Sequence, residues 1–134
     1  MFAKVIYTLL DDNAAYKALC GTDSSGKLKL YPASTVPQGI RRPYAAYTFV
    51  SRVEQQDKTG RGIYTVNVQI DHYANTVDDA EAMDHTAITA LNRYKGTVSG
   101  VKVKSIRVQG GNDGYNENQE ASHRLTEFSI KIQG

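Results

Sequence analysis

Cysteine, proline, tryptophan and long apolar runs are all scarce in this sequence. Among its 134 residues there are one cysteine, three prolines and no tryptophan. The single Cys20 excludes a disulfide within the chain, and no apolar run approaches the ~20 residues that a membrane-spanning helix needs. The first residues do not resemble a secretory signal either, because Asp11 and Asp12 interrupt the apolar stretch early. We therefore expect a protein of a reducing, cytoplasmic compartment.

An excess of charge of one sign is also missing. Sixteen Lys and Arg residues nearly balance fourteen Asp and Glu residues, which gives a formal net charge of +2. A dedicated nucleic-acid binder that relies on counterion release usually carries a larger excess of positive charge. The length predicts one domain over residues 1–134 that buries roughly 68% of its unfolded surface. Such a domain needs neither a disulfide nor a metal for stability.

The fold is expected to centre on a strand that leads into the one long helical pattern. From Tyr64 to Ile70 apolar and polar residues alternate, as in a strand with one buried face. After Thr76 the apolar residues recur at three- and four-residue steps, which places them on one stripe of a helix over 76–94. The residues of that stripe are Ala80, Met83, Ala87, Leu91 and Tyr94. We expect the stripe to pack on the apolar face of the strand.

The other elements follow from apolar spacing and turn residues. Phe2 to Leu10 have helical spacing, and a second short helix, capped by Asp12 or Asn13, should end at Gly21. Four strands are predicted, near 44–55, 62–74, 101–110 and 123–133. The apolar residues shift from odd positions at Val101 and Val103 to even positions at Ile106 and Val108, which predicts a bulge near Lys104 and Ser105. The segment Gly110 to Gly114 is predicted to be a loop.

Together these elements predict an α+β fold. Each pair of strands has a short connection, so the sheet should be four-stranded and mainly antiparallel, with the helices packed on one face. The connection from Gln55 to Gly62 is polar and too long for a two-residue turn, so it should project from the sheet as a hairpin tip.

No residue pattern indicates catalysis or cofactor binding. His72, His85 and His123 lack the spacing of metal ligands, and Asp78 and Asp79 are explained by the positive end of a helix. The glycine-rich segment after Gln109 lacks the residues of a phosphate-binding or calcium-binding loop. We therefore predict no catalytic, cofactor-binding or metal-binding residues, and a small hydrolase is the least favoured function.

Basic residues form only loose groups in the sequence. They are Arg41 with Arg42, Lys58 with Arg61, and Lys102, Lys104 and Arg107. Lys102 and Lys104 alternate with valines, which is typical of the solvent side of an ordinary strand. A small nucleic-acid-binding module of a mobile element therefore remains an alternative function and is not the preferred one.

Short segments spread along nearly the whole chain follow the order and spacing of a known family. These segments are Ile6–Leu10 with Ala18–Leu19, Val36–Gly39 ahead of Arg42–Tyr47, Val68–Ala74, Asp79–Ala82, Gly96–Ile106 and Asp113–Tyr115. Through them the chain resembles the small tail-completion or tail-terminator proteins of long-tailed bacteriophages and prophages. It departs from the family's pattern in the loop from Lys27 to Pro32, which is longer than usual.

The resemblance implies a tail-terminator-like fold and a structural, non-enzymatic role without cofactors. Such proteins are expected to form a ring, here a hexamer, that stops polymerisation of the tail tube and joins the tail to the head. The implied partners are the tail tube protein, the head–tail connector protein and DNA that passes without sequence-specific contacts. The implied location is the virion tail, and the host cytoplasm during assembly, with no membrane involved.

A ring repeats each subunit's surface around one axis, so a few cations per subunit can form a belt of positive charge. Lys58 and Arg61 lie at the predicted hairpin tip and are our first candidates for residues that face a DNA channel. Arg41 and Arg42 are the secondary candidates.

Overall fold

The computed structural model describes residues 2–56, 62–116 and 121–133. Its helices are α1 (Phe2–Asp11), α2 (Ala14–Cys20) and α3 (Val77–Leu91), with a short 3-10 helix at Ala33–Thr35. Its strands are β1 (Leu30–Pro32), β2 (Tyr44–Gln56), β3 (Gly62–Ala74), β4 (Gly96–Val98), β5 (Val101–Asn116) and β6 (Ala121–Gln133). In this part of the chain, no helix combines the length and the apolar character needed to cross a membrane.

The sheet has six strands in the order β1-β2-β3-β6-β5-β4. The α+β class is as predicted, but the four-stranded sheet is wrong, because two short strands extend it at its edges. β1 runs parallel to β2, so the sheet is mixed, while the other neighbouring pairs are antiparallel. Strands of three residues are too short to show a period of two in the sequence, and their pairing with longer neighbours defines them.

The helix boundaries agree with the capping residues in the sequence. The Asn13 side chain accepts a hydrogen bond from the Tyr16 N–H at 2.9 Å, and α2 ends at Gly21 with φ 86°. The Thr76 hydroxyl accepts a hydrogen bond from the Asp79 N–H at 3.1 Å and starts α3. α3 ends at Leu91, three residues earlier than predicted, because Arg93 has a left-handed φ of 66°.

The predicted contact between the α3 stripe and the β3 face is confirmed in the core. Residues of α3 and of β3 belong to one buried cluster. The buried members from these two elements are Val66, Val68, Ile70, Ala80, Met83, Ala87 and Leu91. α1 adds Val5, Ile6 and Leu10 to the same cluster, so all of this apolar packing lies on one face of the sheet.

The strand β5 corrects one prediction and confirms another. The segment Gly110 to Gly114 is not a loop, because it pairs with β6 in continuous register. A Cβ atom on Gly111 would lie 2.9 Å from the Leu125 carbonyl oxygen. The close approach of β6 therefore requires glycine there, and strand pairing overrides the turn preference of the sequence. The predicted bulge is present, since Lys104 is an extra residue between Val103 and Ser105.

Candidate functional site

The helix-free face of the sheet carries a row of three stacked rings. Tyr44, Tyr73 and His123 lie opposite one another on β2, β3 and β6. Their ring centroids are 4.8 Å and 4.5 Å apart, with interplanar angles of 19° and 5°. The His123 Nε2 lies 2.9 Å from the Asp71 carboxylate, which also accepts a hydrogen bond from the Gln69 amide. These contacts hold the row in one orientation and make it a rigid part of the surface.

The hydroxyl groups of this row are harder to ionise than an exposed tyrosine. Burial raises the pKa of Tyr73, and the nearby Asp71 and Tyr44 raise it further. Burial also raises the pKa of Tyr44, while the positive charge of Arg42 opposes the shift. Both side chains therefore remain neutral at physiological pH and contribute apolar contact area with a polar tip.

On the opposite face, a buried polar network joins four elements of the fold. The Asp84 carboxylate on α3 is 1% exposed and accepts hydrogen bonds from Thr126 and from Arg124 Nε, both on β6. The Arg124 bond is 2.8 Å long. His72 on β3 lies beside the same carboxylate and is hydrogen bonded through Nε2 to the Tyr16 hydroxyl of α2 at 2.8 Å. The network fixes the positions of both helices on the sheet.

The environment of Asp84 favours its charged form. Burial alone raises the pKa of the Asp84 carboxyl, but His72, the Thr126 hydroxyl and the Arg124 guanidinium together hold it below its usual value. His72 Nδ1 lies 3.6 Å from the carboxylate and makes no hydrogen bond. The hydrogen bonds that hold the carboxylate therefore come from Thr126 and Arg124.

The two paired histidines do not form a common metal site. His72 faces the helices and His123 lies on the opposite face, because their positions on paired strands point to different sides of the sheet. Within the described ranges, no group of three His, Cys, Asp or Glu residues could hold a metal ion. Cys20 is buried, and its thiol donates to the Lys29 carbonyl oxygen at 3.4 Å.

Two of the four predicted channel cations lie in the described part of the chain. Lys58 and Arg61 lie outside the described residues. Arg41 is exposed, and its carbonyl oxygen accepts a hydrogen bond from Lys29 Nζ at 3.0 Å. Arg42 is half-buried and shares with Tyr44 the lining of a hollow of about 500 Å³. Arg42 therefore lies next to the row of stacked rings.

A second group of cations surrounds a smaller hollow that the sequence pattern does not reveal. Lys95, Lys102 and Lys104 line this hollow of about 250 Å³ together with Gly96, Thr97 and Val103. A regular strand would place Lys104 on the same face as Lys102 and would leave both facing solvent. The bulge changes the direction of Lys104, and β4 brings Lys95 next to them. We call this group the lysine hollow.

The long strands β2 and β5 are each covered by a short strand along only part of their outer edge. β1 pairs with β2 only along Ala45 to Tyr47, and β4 pairs with β5 only along Val101 to Val103. In the described chain, the rest of each outer edge has no strand partner. The backbone of Ile106 accepts a hydrogen bond from the Arg93 N–H at 2.7 Å. The Val108 N–H donates to the Asn92 side chain at 3.1 Å.

The open edge of β2 also exposes apolar side chains. Phe49, Val50 and Val53 are 40%, 55% and 52% exposed. Val50 lies in a bulge of β2, where the register shifts between Phe49 and Ser51. Apolar residues at an unpaired strand edge form a site for association with another strand.

Comparison with known proteins identifies a protein family and solved structures of the same fold. The sequence profile of the family described as tail completion protein gp17 matches residues 4–133. A chain in a solved structure described as "Virion of native gene transfer agent (GTA) particle" has the same fold, with a TM-score of 0.77 and 19% sequence identity. The match covers 97% of this chain and 92% of that chain. No curated protein sequence matches the chain.

Proposed function

Because the chain belongs to the tail completion protein gp17 family, and is thus a structural protein of a phage-like tail, we propose that it caps the tail tube as a hexameric ring. In this role it stops polymerisation of the tube protein and joins the tail to the head–tail connector. The observation that carries the proposal is the pair of open edges, on β2 and on β5. A subunit with two different adhesive edges can bind one neighbour on each side.

Two different edges on one subunit favour a closed ring over a two-fold dimer. A two-fold dimer brings the same patch of both subunits together, whereas a head-to-tail contact joins unlike patches and closes into a ring when the rotation allows it. β2 and β5 are separated by β3 and β6 in the strand order, so their open edges face away from each other. The edge of one subunit can then meet the opposite edge of the next.

The test of ring formation is a pair of lysine substitutions at the β2 edge. Lysines on edge strands block strand pairing, because the pairing would bury their charge. We expect Val50→Lys with Val53→Lys to remain monomeric under conditions where the unmodified protein forms rings, as measured by native mass spectrometry. The matched control is Leu19→Lys with Val77→Lys, which changes two exposed apolar residues on helices and adds the same charge. Rings of unchanged mass in the edge variant would refute the assignment of this edge.

The proposed DNA channel contacts are Lys58 and Arg61, with Arg41 and Arg42 as secondary contacts. Cations in a conducting channel should bind phosphates without reading bases, because tight or base-specific contacts would stall the passing duplex. We expect Lys58→Glu with Arg61→Glu to leave rings and joined particles intact and to impair DNA delivery, measured as infectivity. Full infectivity of this variant, or loss of the ring itself, would contradict the role in the channel.

A further inference from the structure

Five cations lie along one end of β5 and its neighbours. The lysine hollow supplies Lys95, Lys102 and Lys104, and two further cations continue along β5 and β6. These are Arg107, which lies opposite Ser129, and Lys131, which lies opposite Ser105. We call the five residues the cationic stripe.

The backbone explains why these cations lie together. Val103 and Ile106 of β5 and Ile130 and Ile132 of β6 point into the core. The residues that alternate with them, Lys102, Arg107 and Lys131, therefore point to the helix-free face. Lys104 is the bulged residue, so it lies between the two faces at the edge, next to Lys95.

None of the five stripe cations forms an ion pair with an acid of the described chain. The ion pairs of this part of the protein involve Lys17, His72, His123 and Arg124, and none of the five stripe residues takes part in one. The charges of a chain whose net charge is +2 are thus unevenly distributed. A local set of unpaired cations attracts anions even when the whole protein is nearly neutral.

We propose that the cationic stripe binds backbone phosphates of duplex DNA. Lys102 to Arg107 pair with the four steps from Gln133 to Ser129 on β6, so this part of the stripe extends roughly 13 Å at the strand rise of ~3.3 Å per residue. A duplex carries one negative charge per ~1.7 Å of its axis, so it can contact several of these cations at once. One acidic side chain of a protein partner would neutralise only one or two of them. Lysines bind phosphate as mobile point charges, and such binding does not depend on base sequence.

The inference rests on the proposed function, because the DNA in question is the duplex that passes through the ring. It adds contacts on the sheet to those proposed for Lys58 and Arg61. A duplex that passes along the helix-free face would meet the stripe once in every subunit. Repetition around the ring would convert weak single contacts into continuous guidance.

The test is salt-dependent binding of a fluorescent 30-base-pair duplex by the purified full-length chain. The stripe variant is Lys102→Gln, Lys104→Gln and Arg107→Gln. The control, Lys4→Gln, Lys17→Gln and Lys27→Gln, removes an equal number of positive charges from other surfaces, although Lys17 is paired with Asp11. We expect the stripe variant to lose at least tenfold in affinity at low salt. The slope of log K against log salt should become less steep by about 2.7, which is 0.9 for each of the three lost phosphate contacts. The control should stay within about twofold of the unmodified protein.

Three outcomes would overturn the proposal. The unmodified protein could fail to bind the duplex at low salt, or both variants could weaken binding equally, which would show an effect of net charge alone. The stripe variant could instead lose polyglutamate binding as strongly as duplex binding, which would indicate an acidic protein partner. Ring formation is measured on the same samples by native mass spectrometry. If the unmodified protein binds the duplex but forms no rings, the ring is refuted and the stripe stands. If it forms rings but does not bind the duplex, only the stripe is refuted.

Discussion

Replacing Asp84 with asparagine should destabilise the fold by about 2–3 kcal/mol. Asparagine has nearly the same shape, but it removes the charge and places an NH2 group where one carboxylate oxygen now accepts a hydrogen bond. Hydrogen bonds to a charged group contribute about 1.5–3 kcal/mol each, and breaking a buried ion pair costs about 3–5 kcal/mol. The Arg124 side chain is 34% exposed, so water compensates part of the loss and the lower figure applies.

The assay is urea and thermal unfolding of both proteins at pH 7. For a domain of this size the change corresponds to a fall in Tm of about 10 °C, from roughly 3–5 °C per kcal/mol. The control is Asp78→Asn, which changes an exposed acid in the first turn of α3. It should cost less than about 1 kcal/mol, because it only weakens the interaction with the helix dipole.

The pH dependence of the same comparison tests the cause. The pKa of Asp84 is lowered in the folded protein, so its stabilisation is complete above the unfolded value of about 4 and is lost as pH falls through the folded pKa. The stability difference between the two proteins should therefore be present at pH 5 and should shrink below about pH 4. A difference below 1 kcal/mol at pH 7, or one that persists unchanged at pH 3, would refute the reasoning.

Three further changes test other parts of the structure. Thr76→Ala removes the cap of α3 and should cost about 1 kcal/mol in urea unfolding, whereas Thr76→Ser should cost less than half as much; equal costs would contradict the capping role. Gly111→Ala places a Cβ 2.9 Å from the Leu125 carbonyl oxygen and should lower the free energy of unfolding by about 1–3 kcal/mol. The control Gly110→Ala, where nothing lies within 4 Å, should have little effect. A larger loss for Gly110→Ala than for Gly111→Ala would show that the pairing of β5 is misassigned. Burial raises the pKa of the Cys20 thiol to about 12, so iodoacetamide at pH 8 should label it only as fast as the protein unfolds, and rapid labelling of the folded protein would show that this thiol is accessible.

The sequence predicts most of the elements because their signals are local. The alternation of β3, the stripe of α3 and the cap of α2, predicted at Asp12 or Asn13, each depend on a few neighbouring residues, and the structure confirms them with Asn13 as the cap. The features that the sequence does not predict depend on contacts between distant segments. β1 and β4 exist only through their neighbours, and the glycines near Gly111 form a strand because β6 pairs with them.

In the candidate site, too, local features can be predicted from the sequence and contacts between distant segments cannot. Asp84 lies on the apolar stripe of α3, where the spacing rule expects an apolar residue. A carboxylate at such a position is the one local sign of the buried network, although its partners on α2, β3 and β6 are far away in sequence. The lysine hollow depends on a bulge whose position the apolar pattern does predict. That the bulge brings Lys104 next to Lys95 can be predicted only when the position of β4 is known.

The hydrogen bonds from Asn92 and Arg93 to β5 have a consequence for any assembly at that edge. They occupy the backbone at Ile106 and Val108, and β4 occupies Val101 to Val103. An incoming strand is therefore restricted to the stretch from Gly110 to Asn116, about 20 Å at ~3.3 Å per residue. Because the edge is blocked just before Gly110, a strand that pairs here cannot shift toward Val108 into another register. In the proposed ring, the turn after α3 would act as a stop that sets the axial offset between subunits, and with it the pitch that decides between a flat ring and an open spiral.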